Sequence, residues 1–361
     1  MKRIQHKSIR TGVQQPRIRD VAELAGVSTA TVSHILNGTR DVAEETRARV
    51  LSAVRTLGYR PSAIARSLRT KNTGTLGIMI SDISNPFSTA VVRGAEDVAN
   101  ENGYNTILCN TDESEAKAEN YLGLLMAKHV DGLLLAPTGR LTACLETFLA
   151  TRTPIVLIDR LLDGVSLPFV GVDNIRGARA AVEHLIGDGH RQICVIGGLP
   201  NVSTSIDRLK GYQQALAAAH IESDPNFVLV GHSNVQGGIQ AACDFLRRRE
   251  HPTAIFTTNN LMTLGTLIAF QRLGVCCPDE IAILGFDDHD WAEIFAPPIS
   301  VVRQQMYEIG STATRLLLRA IQGESLPAES HLLQTELIVR DSCKPGGHAS
   351  GKVPSTFTRR E

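Results

Sequence analysis

Short apolar runs alternate with longer helical stretches along residues 75–340. The runs are rich in valine, isoleucine and leucine and end in polar residues, as in LGIMI, GLLLA, PIVLID, QICVIGG, AIFTTN and IAILGFD. Buried parallel strands have such continuous apolar runs, and strands that alternate with helices of about 10–15 residues predict βαβ units. Because about 265 residues of this pattern are more than one sheet usually needs, we expect an α/β core of two similar parallel-sheet lobes.

The charge of the chain is distributed unevenly, although 37 basic and 37 acidic residues cancel overall. Residues 1–71 carry 14 of the Lys and Arg but only 5 of the Asp and Glu. A basic front on an acidic remainder predicts that only the front meets a polyanion, although a solvated basic arm would give the same imbalance. We expect six segments. The first three are a basic disordered arm at 1–16, an all-α helix-turn-helix DNA-binding domain at 17–60 and a hinge helix or linker at 61–73. They are followed by a core N-lobe at 74–171 plus 303–330, a core C-lobe at 172–302 plus 331–340, and a disordered tail at 341–361.

Residues 18–37 predict two short helices joined by a tight turn. Val21, Leu24 and Ala25 share one helical face, Gly26 interrupts the pattern, and Ser28 offers a hydroxyl that can cap the second helix. In a helix-turn-helix, the second helix enters the major groove and its first residues reach base edges. The alternative is that the hydroxyl residues here only cap helices or cover the surface. The candidate DNA contacts in this segment are Ser28, Thr29, Ala30, Thr31, Ser33, His34 and Asn37.

A third helix is expected over residues 44–57, and a candidate hinge follows it. Pro61 suits the start of a helix, but the stretch that ends at Arg69 is too short to be stable alone in water. A segment of this kind folds only on a partner. Leu68 would be an apolar wedge for a minor groove with Arg69 beside it, or this segment is a plain linker whose Leu68 packs on the core.

Polar side chains follow many of the expected strands at the points where the strands end. Ligands of open α/β sheets bind outside the carboxyl ends of the strands, so these side chains should converge on one cleft. Together they offer many hydrogen-bond donors and acceptors, which suits a polyhydroxylated ligand. Phe87 and Trp291 are candidates to cover the apolar face of a ring. Taken singly, each polar residue could instead cap a helix or form a structural pair. The polar candidates are Asn85, Asp159, Arg160, Arg208, Asn259, Asp287 and Gln304.

Several long motifs resemble those of the lactose/galactose repressor (LacI/GalR) family of transcriptional regulators. DVAELAGVSTATVSHILN, VAEETRARV and RPSAIARSLR resemble its headpiece and hinge, with the purine and ribose repressors as the nearest members. NPF, IDR, TNN, GFDD and VRQ are similar to the pattern of periplasmic ribose-binding proteins, whose fold the family's core shares. The resemblance extends from about residue 18 to residue 340. It implies base or minor-groove contacts by Thr29, Ala30, His34, Arg40, Ala65, Leu68 and Arg69, with Leu68 intercalating.

Two positions depart from the pattern of the purine repressors. Val202 stands six residues before Arg208, where that pattern has a second arginine, and Ser88 follows Phe87 where it has an aromatic pair. These differences argue against a purine ligand. They do not bear on the headpiece, because head and core are separate modules.

The motifs together predict a cytoplasmic, bacterial transcriptional repressor that is nucleoid-associated when bound to DNA. We expect a homodimer that binds a palindromic operator in double-stranded DNA and responds allosterically to a sugar, sugar acid or sugar phosphate that acts as an inducer. The alternatives are a corepressor-dependent regulator of the purine type and, on the cleft alone, a sugar-binding component of a transport system. The headpiece disfavours the transport alternative.

Other classes of function lack support in the sequence. No nucleophile or activated base is evident, so no enzymatic activity is expected. The eleven histidines lack metal-binding spacing, and no cofactor motif is present. Seven scattered cysteines fit reduced thiols. No apolar stretch approaches the ~18 residues of a membrane span, and the basic start lacks the apolar region of a secretory signal.

Leu68→Ala tests the proposed wedge. Removal of an intercalating side chain should weaken binding to a specific operator far more than binding to unrelated DNA, because only specific binding includes the kinked base step. Binding to both DNAs at the same salt concentration measures the difference. Equal losses for the two DNAs would disprove the wedge.

Overall fold

The computed structural model describes residues 16–37, 40–59, 72–139, 142–248 and 251–343. They form two units, a headpiece and a core, divided after Thr73. Three of the predicted DNA contacts, Ala65, Leu68 and Arg69, lie outside the described residues, as do most of the predicted arm and tail. No helix in the described ranges combines the length and apolar character that crossing a bilayer requires.

The headpiece packs its helices around a small apolar core. Val21, Val32 and Val50 contribute one buried side chain from each helix. Leu24 shares the apolar face expected for α1 but is 55% exposed. The buried residues of α1 are instead Val21, Ala22 and Ala25. The helices are α1 (Ile18–Ala25), α2 (Thr29–Asn37) and α3 (Glu44–Leu57).

The core contains two sheets of the same topology. The first has the order β11-β5-β4-β3-β1-β2, and every pairing in it is parallel. Its strands are β1 (Thr75–Ile80), β2 (Asn105–Asn110), β3 (Gly132–Leu135), β4 (Ile155–Ile158), β5 (Phe169–Val172) and β11 (Ser330–Leu333). The second has the order β12-β10-β9-β8-β6-β7, in which only β12 pairs antiparallel. Its strands are β6 (Ile193–Gly197), β7 (Val228–Val230), β8 (Ala254–Thr257), β9 (Ala282–Phe286), β10 (Ser300–Arg303) and β12 (Glu336–Ile338).

Helices cover both faces of each sheet and pack closely in pairs. At Gly310 an added Cβ would lie 1.9 Å from the carbonyl oxygen of Val91 on the neighbouring helix, so no larger residue fits there without movement. The first lobe contains α4 (Pro86–Glu101), α5 (Glu115–Lys128), α6 (Ala143–Ala150) and α12 (Met306–Ile321). The second contains α7 (Asn174–Gly187), α8 (Ser203–Ala218), α9 (Val235–Leu246), α10 (Asn260–Leu273), α11 (Asp290–Ile294) and a 3-10 turn at Pro225–Phe227. This confirms the expected α/β core with a helical headpiece.

The chain crosses between the lobes at three places, which follow Val172, Arg303 and Leu333. The third crossing lies a few residues later than the boundary expected after residue 330. All four residues of β11 pair with β5 in the first sheet, and only β12 belongs to the second. The pattern of HLLQTELIVR could not locate this switch, because edge strands of either sheet look alike in sequence.

An ion-pair network connects two of these crossings to the end of β9. Asp288 accepts hydrogen bonds from Arg340 at 2.9 and 3.0 Å and from Arg303 at 2.7 and 3.0 Å. Arg303 also lies 3.6 Å from Glu336, the first residue of β12. Burial alone would raise the pKa of Asp288, but the hydrogen bonds from the two arginines outweigh it and lower this pKa. The network therefore requires an ionised Asp288.

Asp288→Asn tests the network. The variant keeps the volume of the side chain but removes the charge that both arginines share. We expect the free energy of unfolding to fall by about 2 kcal/mol at pH 7, less than the ~3–5 kcal/mol for a fully buried pair, because Arg303 is 46% exposed. The pKa of Asp288 is lower in the folded protein than the unfolded value of about 3.9. The ionised carboxylate therefore stabilises the fold at pH above the unfolded pKa, and this stabilisation is lost as the pH falls through the folded pKa. Urea unfolding of both proteins between pH 7 and pH 3 should therefore show a shrinking difference, and a constant one would contradict the prediction.

Candidate DNA-binding helix and interlobe cavity

The first turn of α2 is exposed and capped by its own hydroxyl residues. The Oγ of Ser28 accepts a hydrogen bond from the backbone N–H of Thr31 at 3.1 Å and lies 2.9 Å from its Oγ1. Thr29 and Ala30 follow on the exposed surface. The capping alternative thus holds for Ser28, while Thr29 and Ala30 occupy the position from which such a helix reads bases.

Other predicted DNA contacts lie on the outer stripe of the same helix. Val32 and Ile35 face the headpiece core, and helical periodicity puts Ala30, Ser33 and His34 on the opposite side. Ser33 and His34 are partly buried. Arg40 is exposed after the end of α2, and Asn37 is the last residue of this helix. Ser28, Thr29 and Ala30 therefore lie at the start of α2, Ser33 and His34 lie along its outer face, and Arg40 follows its end.

A cavity of about 490 Å³ lies at the carboxyl ends of the strands of both sheets. Residues from both lobes line it, which is where the topology predicts a ligand site. Most of the lining is polar, and Phe87 contributes an apolar ring from the start of α4. The predicted residues that line this cavity are Asn85, Phe87, Asp159, Arg160, Arg208, Asn259, Asp287 and Gln304.

Trp291 does not line the cavity, contrary to expectation. It lies in α11, where its partly buried ring packs against the apolar core of the second lobe. The ring stacks near His289, with the two centroids 6.5 Å apart. Trp291 is the fourth residue after Asp287, but the chain turns into α11 between them. Nearness in sequence was therefore a poor guide to its position.

Four lining residues that sequence reasoning missed have left-handed φ angles and follow β2 and β7, the second strand of each lobe. The rule that polar residues collect at strand ends would have found them, had it been applied to these two strands. Of the four, Glu113 makes the closest contact with a predicted residue, because it pairs with Arg160. The missed residues are Asp112, Glu113, His232 and Ser233.

The backbone at these strand ends adopts the same unusual conformation in both lobes. At the ends of β2, β4, β7 and β9, six non-glycine residues have left-handed φ angles, each of which costs on the order of 1–3 kcal/mol. They are Asp112 (φ 49°) and Glu113 (φ 57°) after β2, His232 (φ 52°) and Ser233 (φ 57°) after β7, Asp159 (φ 63°) after β4 and Asp287 (φ 75°) after β9. Because β2 corresponds to β7 and β4 to β9, the two lobes present their side chains to the cavity by the same local geometry.

Arg160 is held by a two-point ion pair within the first lobe. Its Nη1 donates to Glu113 Oε2 at 2.8 Å and its Nη2 donates to Glu113 Oε1 at 2.6 Å. The Nη2 also donates to Ser81 at 3.3 Å, and the Nη1 to the carbonyl of Pro137 at 3.4 Å. Its Nε lies 3.5 Å from Asp159. The guanidinium is therefore fixed, with Asp159 beside it.

Arg208 is held in the second lobe by neutral groups. Its Nε donates to Asn174 at 2.8 Å, and its Nη1 donates to the carbonyl of Thr258 at 2.5 Å. The guanidinium carbon lies 3.8 Å from the centre of the Phe286 ring, a cation–π contact. The Nη2 makes no hydrogen bond with the described residues, which leaves two N–H donors for a ligand.

Asparagines at helix starts connect the cavity walls. Asn85 and Asn259 accept hydrogen bonds from backbone N–H groups of α4 and α10 and so cap these helices. Asn260 donates to Asn85 across the lobes at 3.0 Å and lies 2.8 Å from His289 Nε2. The capping alternative therefore applies to both predicted asparagines, although both also line the cavity.

Two carboxylates occupy the equivalent strand ends on opposite walls. Gln304 donates through its Nε2 to Asp287, while its own Oε1 is buried without a hydrogen-bond partner among the described residues. Burial raises the pKa of Asp159, and the positive charges of Arg160 and Arg208 oppose this rise. Both walls thus offer acceptors to a molecule between the lobes.

Within the described ranges, no group of acidic, histidine and cysteine residues is arranged to hold a metal ion.

Comparisons with known proteins match both units. Residues 17–62 match the family described as "Bacterial regulatory proteins, lacI family", and residues 182–343 match the "Periplasmic binding protein-like domain". The HTH-type transcriptional repressor PurR of Photobacterium profundum is 36% identical over 91% of this chain and 98% of its own. The ribose operon repressor of Haemophilus influenzae is 34% identical over 90% and 98%. The crystal structure of the lac repressor dimer bound to operator and the anti-inducer ONPF has a TM-score of 0.82 at 25% identity and covers 92% of this chain and 100% of that one.

Ser28→Ala tests the cap of α2. Loss of the Oγ acceptor leaves the Thr31 N–H without its partner and should destabilise the helix by about 1 kcal/mol, whereas Ser28→Gly should cost only a few tenths of a kcal/mol. Hydrogen exchange of the α2 amides measures the opening free energy. Equal exchange in Ser28→Ala and the parent protein would show that the hydroxyl does not cap.

Proposed function

Because the chain belongs to the LacI family of bacterial transcriptional regulators, we propose that it is a repressor released from its operator by an uncharged sugar. Family membership makes the chain a helix-turn-helix transcriptional repressor with an effector-binding core.

The observation that carries the proposal is the density of polar groups with unused capacity in the cavity. Gln304 Oε1 can accept a hydrogen bond, Arg208 Nη2 can donate two, and the carboxylates of Asp159 and Asp287 accept from opposite walls. Each hydroxyl of a sugar donates one hydrogen bond and accepts others, so a ring of hydroxyls matches such mixed walls. Phe87 offers the apolar surface for the C–H face of a sugar ring.

The charge of the cavity favours an uncharged sugar over a sugar acid or a sugar phosphate. An added anion would face an excess of like charges in a partly water-excluded space, which is costly. Arg160 is already paired with Glu113. The lining contains two arginines and five carboxylates, which are Asp82, Asp112, Glu113, Asp159 and Asp287.

The operator contacts follow from the exposed end of α2. Thr29, Ala30, His34 and Arg40 would meet base edges, with Ser28, Thr31, Ser33 and Asn37 on phosphates. Ala65, Leu68 and Arg69 would form the minor-groove contact of a hinge that folds on DNA. A homodimer presents two headpieces to a palindromic operator, and an operator places the protein in the bacterial cytoplasm.

The sugar would act by changing the angle between the lobes. Two described hydrogen bonds cross between them, from Asn260 to Asn85 at 3.0 Å and from the Leu161 N–H to Ser203 Oγ at 2.9 Å. A ligand that contacts both walls shifts the equilibrium between lobe arrangements by its differential affinity for them. The new arrangement would move the two hinges of a dimer apart and release the operator.

A purine corepressor is the second candidate, because one of the relatives above is a PurR protein. The lining disfavours it. A planar purine needs apolar faces on both sides, but Ser88 follows Phe87 in the cavity wall and few apolar side chains line the opposite wall. A purine would strengthen operator binding rather than release it, so the two candidates predict opposite signs.

Arg208→Lys tests the effector site. The variant keeps the charge but cannot donate to Asn174, Thr258 and a ligand together. With the full chain, we would titrate D-ribose, D-glucose and D-galactose, their acids and phosphates, and hypoxanthine and guanine, while measuring operator binding. We expect an uncharged sugar to release the operator and Arg208→Lys to weaken its binding on the order of 10- to 100-fold, with operator affinity unchanged.

Arg179→Lys is the matched control, because Arg179 is a surface arginine of the same lobe and its side chain is 48% exposed. It should respond like the parent protein. An unaltered response in Arg208→Lys would mean that the ligand binds elsewhere. Stronger operator binding with hypoxanthine or guanine would replace the proposal with the purine candidate.

A further inference from the structure

Glu113 occupies the charged edge of Arg160 that an anionic ligand would need. Both carboxylate oxygens take part, at 2.6 and 2.8 Å from the two terminal nitrogens of the guanidinium. This parallel arrangement is the geometry with which arginine also binds ligand carboxylates and phosphates. A side chain of the protein has therefore taken the place of an anion.

The remaining donors of Arg160 are also directed to the protein. One terminal nitrogen reaches Ser81 and the other the carbonyl of Pro137, while the buried Nε lies 3.5 Å from Asp159 without a hydrogen bond among the described residues. An incoming anion could use this guanidinium only by displacing Glu113. The displaced carboxylate would then stay in the same cavity, since Glu113 lines it, and would repel the ligand that displaced it.

The local backbone directs only one of two neighbouring carboxylates to Arg160. Asp112 and Glu113 both have left-handed φ angles, 49° and 57°. Asp112 lines the cavity as a half-exposed side chain, where it pairs with Lys117 and accepts a hydrogen bond from Asn110 at 2.6 Å, and Ser114 caps α5. The strained turn thus gives two adjacent acidic residues different partners, Lys117 for Asp112 and Arg160 for Glu113.

Arg208 differs from Arg160 because no carboxylate hydrogen-bonds to it. Its partners are the neutral Asn174 and Thr258. Burial lowers the pKa of Arg208, and the nearby carboxylates of Asp287 and Asp159 oppose this lowering. Neither arginine of the cavity therefore presents an uncompensated positive charge to a ligand.

We propose that Glu113 is a specificity-determining residue that excludes anionic ligands by occupying the guanidinium of Arg160. This inference rests on the proposed sugar-binding function and extends it. Rejection of the wrong ligand by a built-in like charge is a common means of specificity. Glu113 does not need to touch the sugar for this role.

Glu113→Gln tests the inference, with Glu113→Asp and Glu119→Gln beside it. Glutamine keeps the size of the side chain but removes the anion, so the positive charge of Arg160 becomes available. Aspartate keeps the anion. Glu119→Gln makes the same chemical change on the exposed surface of α5 in the same lobe. The full chain is used throughout, and the thermal midpoint of each ligand-free variant checks folding.

The measurement is the ratio of Kd values for sugars that differ only in charge. The probe pairs are D-ribose with D-ribose 5-phosphate, D-glucose with D-glucuronate and D-galactose with D-galacturonate, measured by calorimetry at one ionic strength. We expect the parent protein to prefer the neutral member of the pair that it binds by at least about tenfold, and Glu113→Gln to reduce that preference by about tenfold or more. Glu113→Asp and Glu119→Gln should keep the preference of the parent protein.

The outcomes separate this inference from the proposed function. If the parent protein binds a neutral sugar but Glu113→Gln keeps the same preference, the role of Glu113 is disproved and the sugar site stands. The same holds if Glu119→Gln loses the preference equally, since the effect would then be one of net charge. If the parent protein binds no neutral sugar, the proposed effector class is wrong and the inference fails with it.

Discussion

The burial of two arginines at the carboxyl ends of the sheets is the constraint on which the cavity depends. Arg160 and Arg208 are only 8% and 6% exposed. An unpaired buried charge costs several kcal/mol, so each guanidinium must find partners. Arg160 finds them in Glu113 and Asp159, and Arg208 in Asn174, Thr258 and the ring of Phe286. These requirements orient Glu113, Asp159 and Ser81 in the cavity wall.

The repeated topology of the two lobes determines where this constraint is met. Each sheet has the same order of its first five strands, and equivalent strand ends carry residues with left-handed φ angles. Strain of this kind persists only where the surrounding structure holds it in place. The pairs Asp159 and Asp287, and Glu113 and Ser233, therefore approach one cavity from opposite walls. A site between two such lobes can respond to a ligand by a change in their angle.

Much of this arrangement could be predicted from residue patterns, and the failures have local physical reasons. Strand-end residues such as Asp159, Asp287 and Gln304 were found because the carboxyl ends of parallel strands must share one edge. Trp291 was misplaced because a short helix carries it away from the strand end. Leu24 was placed in the headpiece core because periodicity describes a face but not the width of the contact that covers it. Glu113 follows the end of β2 and fits the same rule, but the sequence does not show its pairing with Arg160, which lies far along the chain.

The sequence by itself determined the helix-turn-helix, the two α/β lobes and the polar residues that end their strands. These features depend on local periodicity, on capping and turn residues, and on the rule that parallel strands share one polarity. Only the tertiary structure decided which group each polar side chain meets. Arg160 and Glu113 are 47 residues apart, and strand order brings them together. Likewise, β11 joins the first sheet and β12 the second, because strand pairing depends on backbone hydrogen bonds between distant segments rather than on the side-chain pattern of either strand.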